Sequence, residues 1–185
     1  PTVYSNLSLS YLLQVPSRRA DTERMPMVIL IHGRGADAND LADLAPLLDP
    51  PAGARFVLPN APKPFEAYPG MTFDWTWFEG WPPEQTSVAA SRELLLRFLD
   101  EVAARYPTSA LIVAGFSQGG MMALDAGLRR EVKGIVAMSG GLYETDLPDL
   151  RTVAKVPILI SHGSVDEVVS LNYARRARAR LGEAG

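Results

Sequence analysis

The sequence predicts an α/β protein with a mostly parallel central sheet and helices on both faces. Three observations carry that prediction. Short apolar runs of strand length recur along the chain, and segments with three- and four-residue apolar spacing separate them, which is the rhythm of βαβ units. A length of 185 residues suits a single domain, 1–185, with one hydrophobic core.

The elements follow in order. Leu7, Leu9, Tyr11 and Leu13 alternate and read as a half-buried strand, whereas Met27 to Ile31 is continuously apolar, as in buried parallel strands. Arg18 to Arg24, polar and mixed in charge, reads as a solvated turn that needs no partner. Asp37, Asp40 and Asp43 open a helix running through Leu48, where acids favour the N-terminal dipole; as a calcium loop the segment would lack its fifth ligand and its glycine turn. Further strands are expected at Arg55–Leu58, Ala110–Phe116, Val132–Ser139 and Val156–Ser161. Leu94, Leu95, Phe98, Leu99 and Val102 mark a long amphipathic helix between Thr86 and Tyr106, with Thr86 or Ser87 as N-cap. Ser170 to Leu181 reads as a helix ending at Gly182, with Arg175, Arg176, Arg178 and Arg180 on a solvated face or toward an anionic partner.

Nine of the 15 prolines lie between Pro46 and Pro83, together with Trp75, Trp77, Phe78 and Trp81. This stretch is an excursion from the sheet, and two readings fit it: one wall of a pocket, or an aromatic cluster packed under a long loop.

Composition excludes several functions. With 47% hydrophobic and 21% charged residues the chain is neither disordered nor fibrous. A net charge of −3 and the lack of a long basic run argue against nucleic acid. The apolar stretches fall far short of the roughly 20 residues of a membrane span, and no secretory signal opens the sequence, so cytoplasm is the default expectation. There are no cysteines and only two histidines, His32 and His162, far apart in sequence; no metal and no cofactor are expected.

The chemistry centres on Gly115-Phe116-Ser117-Gln118-Gly119, which follows an apolar strand and precedes the helical Met121-Met122-Ala123-Leu124. A G-x-S-x-G sequence in that context is a nucleophile elbow, a strand-to-helix turn too tight for bulky flanking side chains, with the serine forced out at the strand end. The backbone N–H of Gln118 and the positive end of the helix then sit beside the hydroxyl, where an oxyanion would form. A glycine-rich phosphate turn is the competing reading, but neither G-x-G-x-x-G nor G-x-x-x-x-G-K-[ST] is present.

A second oxyanion donor is expected from the loop after an earlier strand, and His32-Gly33-Arg34-Gly35 leaves the Met27–Ile31 strand through two glycines, offering the Arg34 N–H. The Arg34 side chain stays free, and binding an acidic substrate group is its alternative role. An acid is expected after a later strand. Asp166 lies four residues past His162 and keeps the Ser-then-Asp order of hydrolases; capping the next helix is its alternative role.

LIHGRGADANDL (30–41), LPNAP (58–62), WFEG (77–80), AGFSQGGMMAL (114–124), SGG (139–141) and ISHGSVDEVV (160–169) together resemble the phospholipase/carboxylesterase family of small α/β-hydrolases, relatives of acyl-protein thioesterases. The resemblance implies an α/β-hydrolase fold and a serine esterase. Ser117 would be the nucleophile, Asp166 the triad acid, the Arg34 and Gln118 N–H groups the oxyanion hole, and Trp77 and Phe78 would line the acyl pocket. In that family the triad histidine follows the acid by a further helix and strand, so the resemblance implies a last βα portion beyond Gly185. His162 and His32 belong to blocks that occur beside the usual triad histidine and read as structural.

The expected activity is hydrolysis of carboxylic esters of short to medium acyl chains. Acyl-protein thioesterase or lysophospholipase activity is the rival within hydrolases, and a catalytically inactive binding module the rival outside them. The expected partner is a small-molecule ester, with a homodimer left open.

Overall fold

The computed structural model describes residues 2–153 and 155–184. Its main sheet has seven strands: β1 (Val3–Tyr4), β2 (Tyr11–Gln14), β3 (Met25–Ile31), β4 (Arg55–Pro59), β7 (Thr108–Phe116), β8 (Gly134–Met138) and β9 (Ile158–Ser161), in the order β1-β2-β4-β3-β7-β8-β9. Strands β4, β3, β7, β8 and β9 run parallel, while β1 and β2 pair antiparallel at the other edge. Both faces are covered. Alternate residues of each strand point to opposite sides, so Met27, Ile29, Ile31, Val57, Val113 and Ile135 join one apolar cluster while Leu30, Phe56, Leu58 and Ala114 join another. The larger cluster lies under α2 (Gln85–Arg105) and α3 (Gln118–Gly127) and takes in Ala177 of α4 (Leu171–Gly182); the smaller lies under the 38–48 segment with the short α1 (Ala45–Leu48). This is the predicted α/β-hydrolase architecture. No helix is long and apolar enough to cross a membrane among the described residues.

Four local expectations are corrected. The first long strand begins only at Tyr11, with Leu7 and Leu9 in bends before it, and Tyr11 and Leu12 are both buried because one joins the larger apolar cluster and the other the smaller, on opposite faces of the sheet. The helix expected from Asp37 is confined to Ala45–Leu48. Asp37 accepts the Asn39 N–H at 2.8 Å and its side-chain amide at 2.9 Å, an Asx-type turn that competes with helix, and three-residue turns follow up to Leu44. Helix α2 starts after Glu84, because the Ser87 hydroxyl is spent on the Glu79 N–H at 3.0 Å instead of capping. The Arg18–Arg24 turn does have partners: Arg18 bonds Asp49 at 2.7 Å and Arg19 bonds Ala52 O at 2.6 Å, clipping the 49–52 turn.

The proline-rich excursion contains a separate antiparallel hairpin, β5 (Lys63–Tyr68) and β6 (Met71–Thr76). Two backbone bonds tie it to the loop after β3: Gly35 N–H donates to Trp75 O at 2.8 Å and Trp75 N–H to Ala36 O at 2.9 Å.

Candidate active site

Strand β7 turns into α3 at Ser117, whose φ of 55° and ψ of −119° lie in a region that L-residues rarely occupy. Close packing forces the turn. A Cβ on Gly115 would overlap Gly119 O, and a Cβ on Gly119 would overlap Ile31 O and stand 2.5 Å from His32 O. The start of α3 therefore lies directly on the backbone at the end of β3. The Ser117 N–H is satisfied by Met138 O at 2.9 Å, and Ser117 O begins the helix by accepting the Met121 N–H at 3.1 Å. Its side chain stays partly exposed on the floor of a cavity of about 640 Å³.

The loop after β3 forms the opposite lip. A Cβ on Gly33 would sit 3.4 Å from Ser117 Cβ, so the His32-Gly33-Arg34 backbone passes immediately beside the hydroxyl. Neither Arg34 N–H nor Gln118 N–H donates to a protein acceptor among the described residues. Two free amides flanking a hydroxyl, one of them at the positive end of α3, can stabilise negative charge on an oxygen bound there. Trp81, Phe116, Met121, Val168 and Val169 supply apolar walls, and Arg34 and Asp40 stand at the rim.

Asp166 underlies the wall formed by Val168 and Val169. Its Oδ1 accepts both of their N–H groups at 2.9 Å, and its Oδ2 is 3.9 Å from Nδ1 of His162. The two backbone N–H bonds, to Val169 and Val168, hold the carboxyl below the ordinary aspartate value, with smaller contributions from His162 and the Ser139 hydroxyl. Asp166 caps this turn and not the next helix, whose N-cap is Ser170 accepting from Asn172 N–H.

Trp77 and Phe78 do not line this cavity. Trp77 is fully buried, donating Nε1–H to His32 O at 2.9 Å, accepting the Ser91 hydroxyl at its carbonyl, and giving its N–H to Gln118 Oε1 at 3.0 Å. Phe78 is buried too, and backs a second groove beside the hairpin. Of the aromatics between Trp75 and Trp81, the one that lines the cavity is Trp81, four residues past Trp77 and tilted against Tyr173 of α4 at 5.2 Å.

Sequence reasoning also missed the Gln118 side chain. It is buried, accepts from the Thr76 hydroxyl and Trp77 N–H at 3.0 Å each, and donates to Phe78 O at 2.8 Å, locking the 76–78 segment to the elbow. A long amide directly after the serine was the available signal. Neither histidine lines the cavity: His32 has both ring nitrogens engaged and His162 shows only 2% of its side chain.

The phospholipase/carboxylesterase family profile matches residues 17–184. Acyl-protein thioesterase 1 of Mycosarcoma maydis is 28% identical over 183 residues, spanning 85% of this chain and 76% of the relative. A probable carboxylesterase of Oryza sativa subsp. japonica is 27% identical, spanning 94% of this chain and 71% of the relative. Among solved structures, esterase PE8 superposes with a TM-score of 0.79 at 30% identity, covering 97% of this chain and 85% of that one. A carboxylesterase from Mesorhizobium loti shares the fold, with a TM-score of 0.81 at 23% identity over 100% and 85% of the two chains. The elbow at Ser117, the sheet that carries it and a family match over most of the sequence agree: this chain belongs to the phospholipase/carboxylesterase family of α/β-hydrolases.

Proposed function

We propose that the chain is the scaffold of a serine carboxylesterase that cleaves esters of short to medium acyl chains through an acyl-enzyme on Ser117. The observation that carries this reading is the Ser117 backbone at φ 55°, ψ −119°, at the floor of a cavity also lined by Arg34 and Gln118, whose backbone N–H groups have no protein acceptor among the described residues. The Ser117 Oγ attacks the ester carbonyl carbon, its proton passes to an imidazole, and the carbonyl oxygen becomes an oxyanion bonded by Arg34 N–H and Gln118 N–H. Collapse of that intermediate expels the alcohol, which takes up the proton. Water, giving a proton to the imidazole, then attacks the acyl-enzyme carbonyl; the C–Oγ bond breaks, the carboxylic acid leaves and the proton returns to Ser117 Oγ. Asp166 orients the imidazole and stabilises its charged form. His32 and His162 are unsuited to be that base, so the reading calls for an imidazole from outside the described residues, placed between Ser117 and Asp166.

A cavity of about 640 Å³ with apolar walls fits a small to medium ester, within the roughly 300–1,000 Å³ of small-molecule sites. Its reaction with a fluorophosphonate probe and a nitrophenyl ester series from acetate to dodecanoate test the reading. Labelling confined to Ser117 and lost in Ser117→Ala, with a rate maximum among the shorter chains, supports it. An unlabelled Ser117, or hydrolysis that survives Ser117→Ala, refutes it.

Thioester hydrolysis on acylated proteins is a second reading, favoured by the similarity to proteins named acyl-protein thioesterase 1. An S-acylated peptide cleaved with a higher kcat/KM than any nitrophenyl ester would select it.

A further inference from the structure

The Arg34 N–H belongs to the peptide bond whose carbonyl is Gly33 O, and in a planar trans peptide the two point in opposite directions. Whatever fixes Gly33 O therefore aims the Arg34 N–H. The atom that meets Gly33 O is His32 Nδ1, at 2.7 Å.

The tautomer follows from the other side of the ring. His32 Nε2 lies 3.0 Å from the Ala61 backbone nitrogen, which can only donate, so Nε2 carries the lone pair. The ring proton is then on Nδ1, and Nδ1–H donates to Gly33 O. The imidazole is itself held: it is buried, its own carbonyl accepts Trp77 Nε1–H at 2.9 Å, and its ring packs against the indole at 5.5 Å. Burial keeps it neutral, outweighing the Gly33 O hydrogen bond and the attraction of Asp37, Asp40 and Asp74, which favour the charged form.

We propose that His32 is a positioning residue for ester cleavage, a neutral imidazole clamped between Ala61 N–H and Gly33 O that aims the Gly33–Arg34 peptide at the developing oxyanion. Accepting the Nδ1–H bond also polarises that peptide and strengthens its N–H as a donor. The inference rests on the esterase reading above. It assigns a task to a histidine that cannot serve as the base, and to Trp77, which sits behind it.

Two substitutions separate the two ends of the ring. In His32→Asn the side-chain amide nitrogen falls near the Nδ1 position and can still donate to Gly33 O. In His32→Gln the longer side chain reaches Ala61 N–H with its oxygen and leaves Gly33 O without a donor. Loss of one oxyanion donor costs roughly 10²–10³ in kcat. His32→Gln is accordingly expected to lower kcat about 100-fold with KM within about threefold, since the interaction exists only in the transition state. His32→Asn recovers most of that loss. In ¹H–¹⁵N spectra the Arg34 amide proton moves in His32→Gln and stays near its wild-type shift in His32→Asn. A folded His32→Gln protein with wild-type kcat, or an Arg34 amide that does not distinguish the two variants, overturns the proposal. If wild-type Ser117 takes no fluorophosphonate label, the esterase reading falls, while the Arg34 amide still decides whether His32 aims that peptide.

Discussion

Gly119→Ala tests whether the contact between α3 and the end of β3 sets the spacing of the site. The added Cβ would overlap Ile31 O and lie 2.5 Å from His32 O, where ordinary contact begins at 3.4 Å; the elements must separate by at least about 0.9 Å. Both neighbours are backbone atoms in the sheet, so no flexible side chain can absorb the overlap. Overpacking of this kind costs about 1–3 kcal/mol, and for a chain of this size each kcal/mol lowers Tm by roughly 2–4 °C. The same shift carries Gln118 N–H away from Arg34 N–H, and a misplacement of about 1 Å costs on the order of 100-fold in rate. The expected variant melts several degrees lower and hydrolyses nitrophenyl butyrate about 100-fold more slowly, with a smaller change in KM. Calorimetry and steady-state kinetics measure both quantities. A Gly119→Ala protein with unchanged Tm and activity within twofold of wild type would refute the argument that this packing defines the site.

Other substitutions and conditions probe separate parts of the fold. Asp125 is buried on α3 and receives Arg92 Nε–H at 2.6 Å and Nη2–H at 3.2 Å, so Asp125→Asn removes one of the two carboxylates on a largely buried guanidinium and leaves Asp146 at 2.8 Å; the expected loss is about 1.5–3 kcal/mol, read as a urea midpoint shift. Gly182→Ala fills open space in the last turn of α4 and should stabilise by up to about 1 kcal/mol, in the same denaturation assay. Burial lowers the His32 pKa below its ordinary 6.5, so protonation favours the unfolded chain. The stability held above about pH 6.5 should drain as pH falls below it, by at most about 1.4 kcal/mol per pH unit, and this component should be absent from His32→Asn.

The parallel strands were legible because each is a short apolar run, buried on both faces in β3 and β4 and more open toward the β9 edge, and β3, β4, β7, β8 and β9 all lie where such runs occur. Ser117 was legible for the same reason: its glycines stand between one of those runs and a helix. The hairpin β5–β6 was not, because most of its residues are exposed or half-buried and its pattern carries no continuous apolar face. Which aromatic turns inward was likewise unreadable. Trp77 is drawn into the core by hydrogen bonds to His32 O and to Gln118, contacts 45 and 41 residues away in sequence, while Trp81 is left to wall the cavity. The helix forecast from Asp37 failed because a short acidic side chain that suits a helix N-terminus can also capture the N–H two residues further on in a turn.

The bridge between Ala36 and Trp75 joins two regions with opposite tolerances. At its base the hairpin shares hydrogen bonds with the loop that carries the Arg34 amide, whereas at its far end Gly70 has open space around it. Evolution or a protein engineer can therefore lengthen, shorten or redecorate the distal turn, while the anchored end keeps the course of the loop that carries the Arg34 amide.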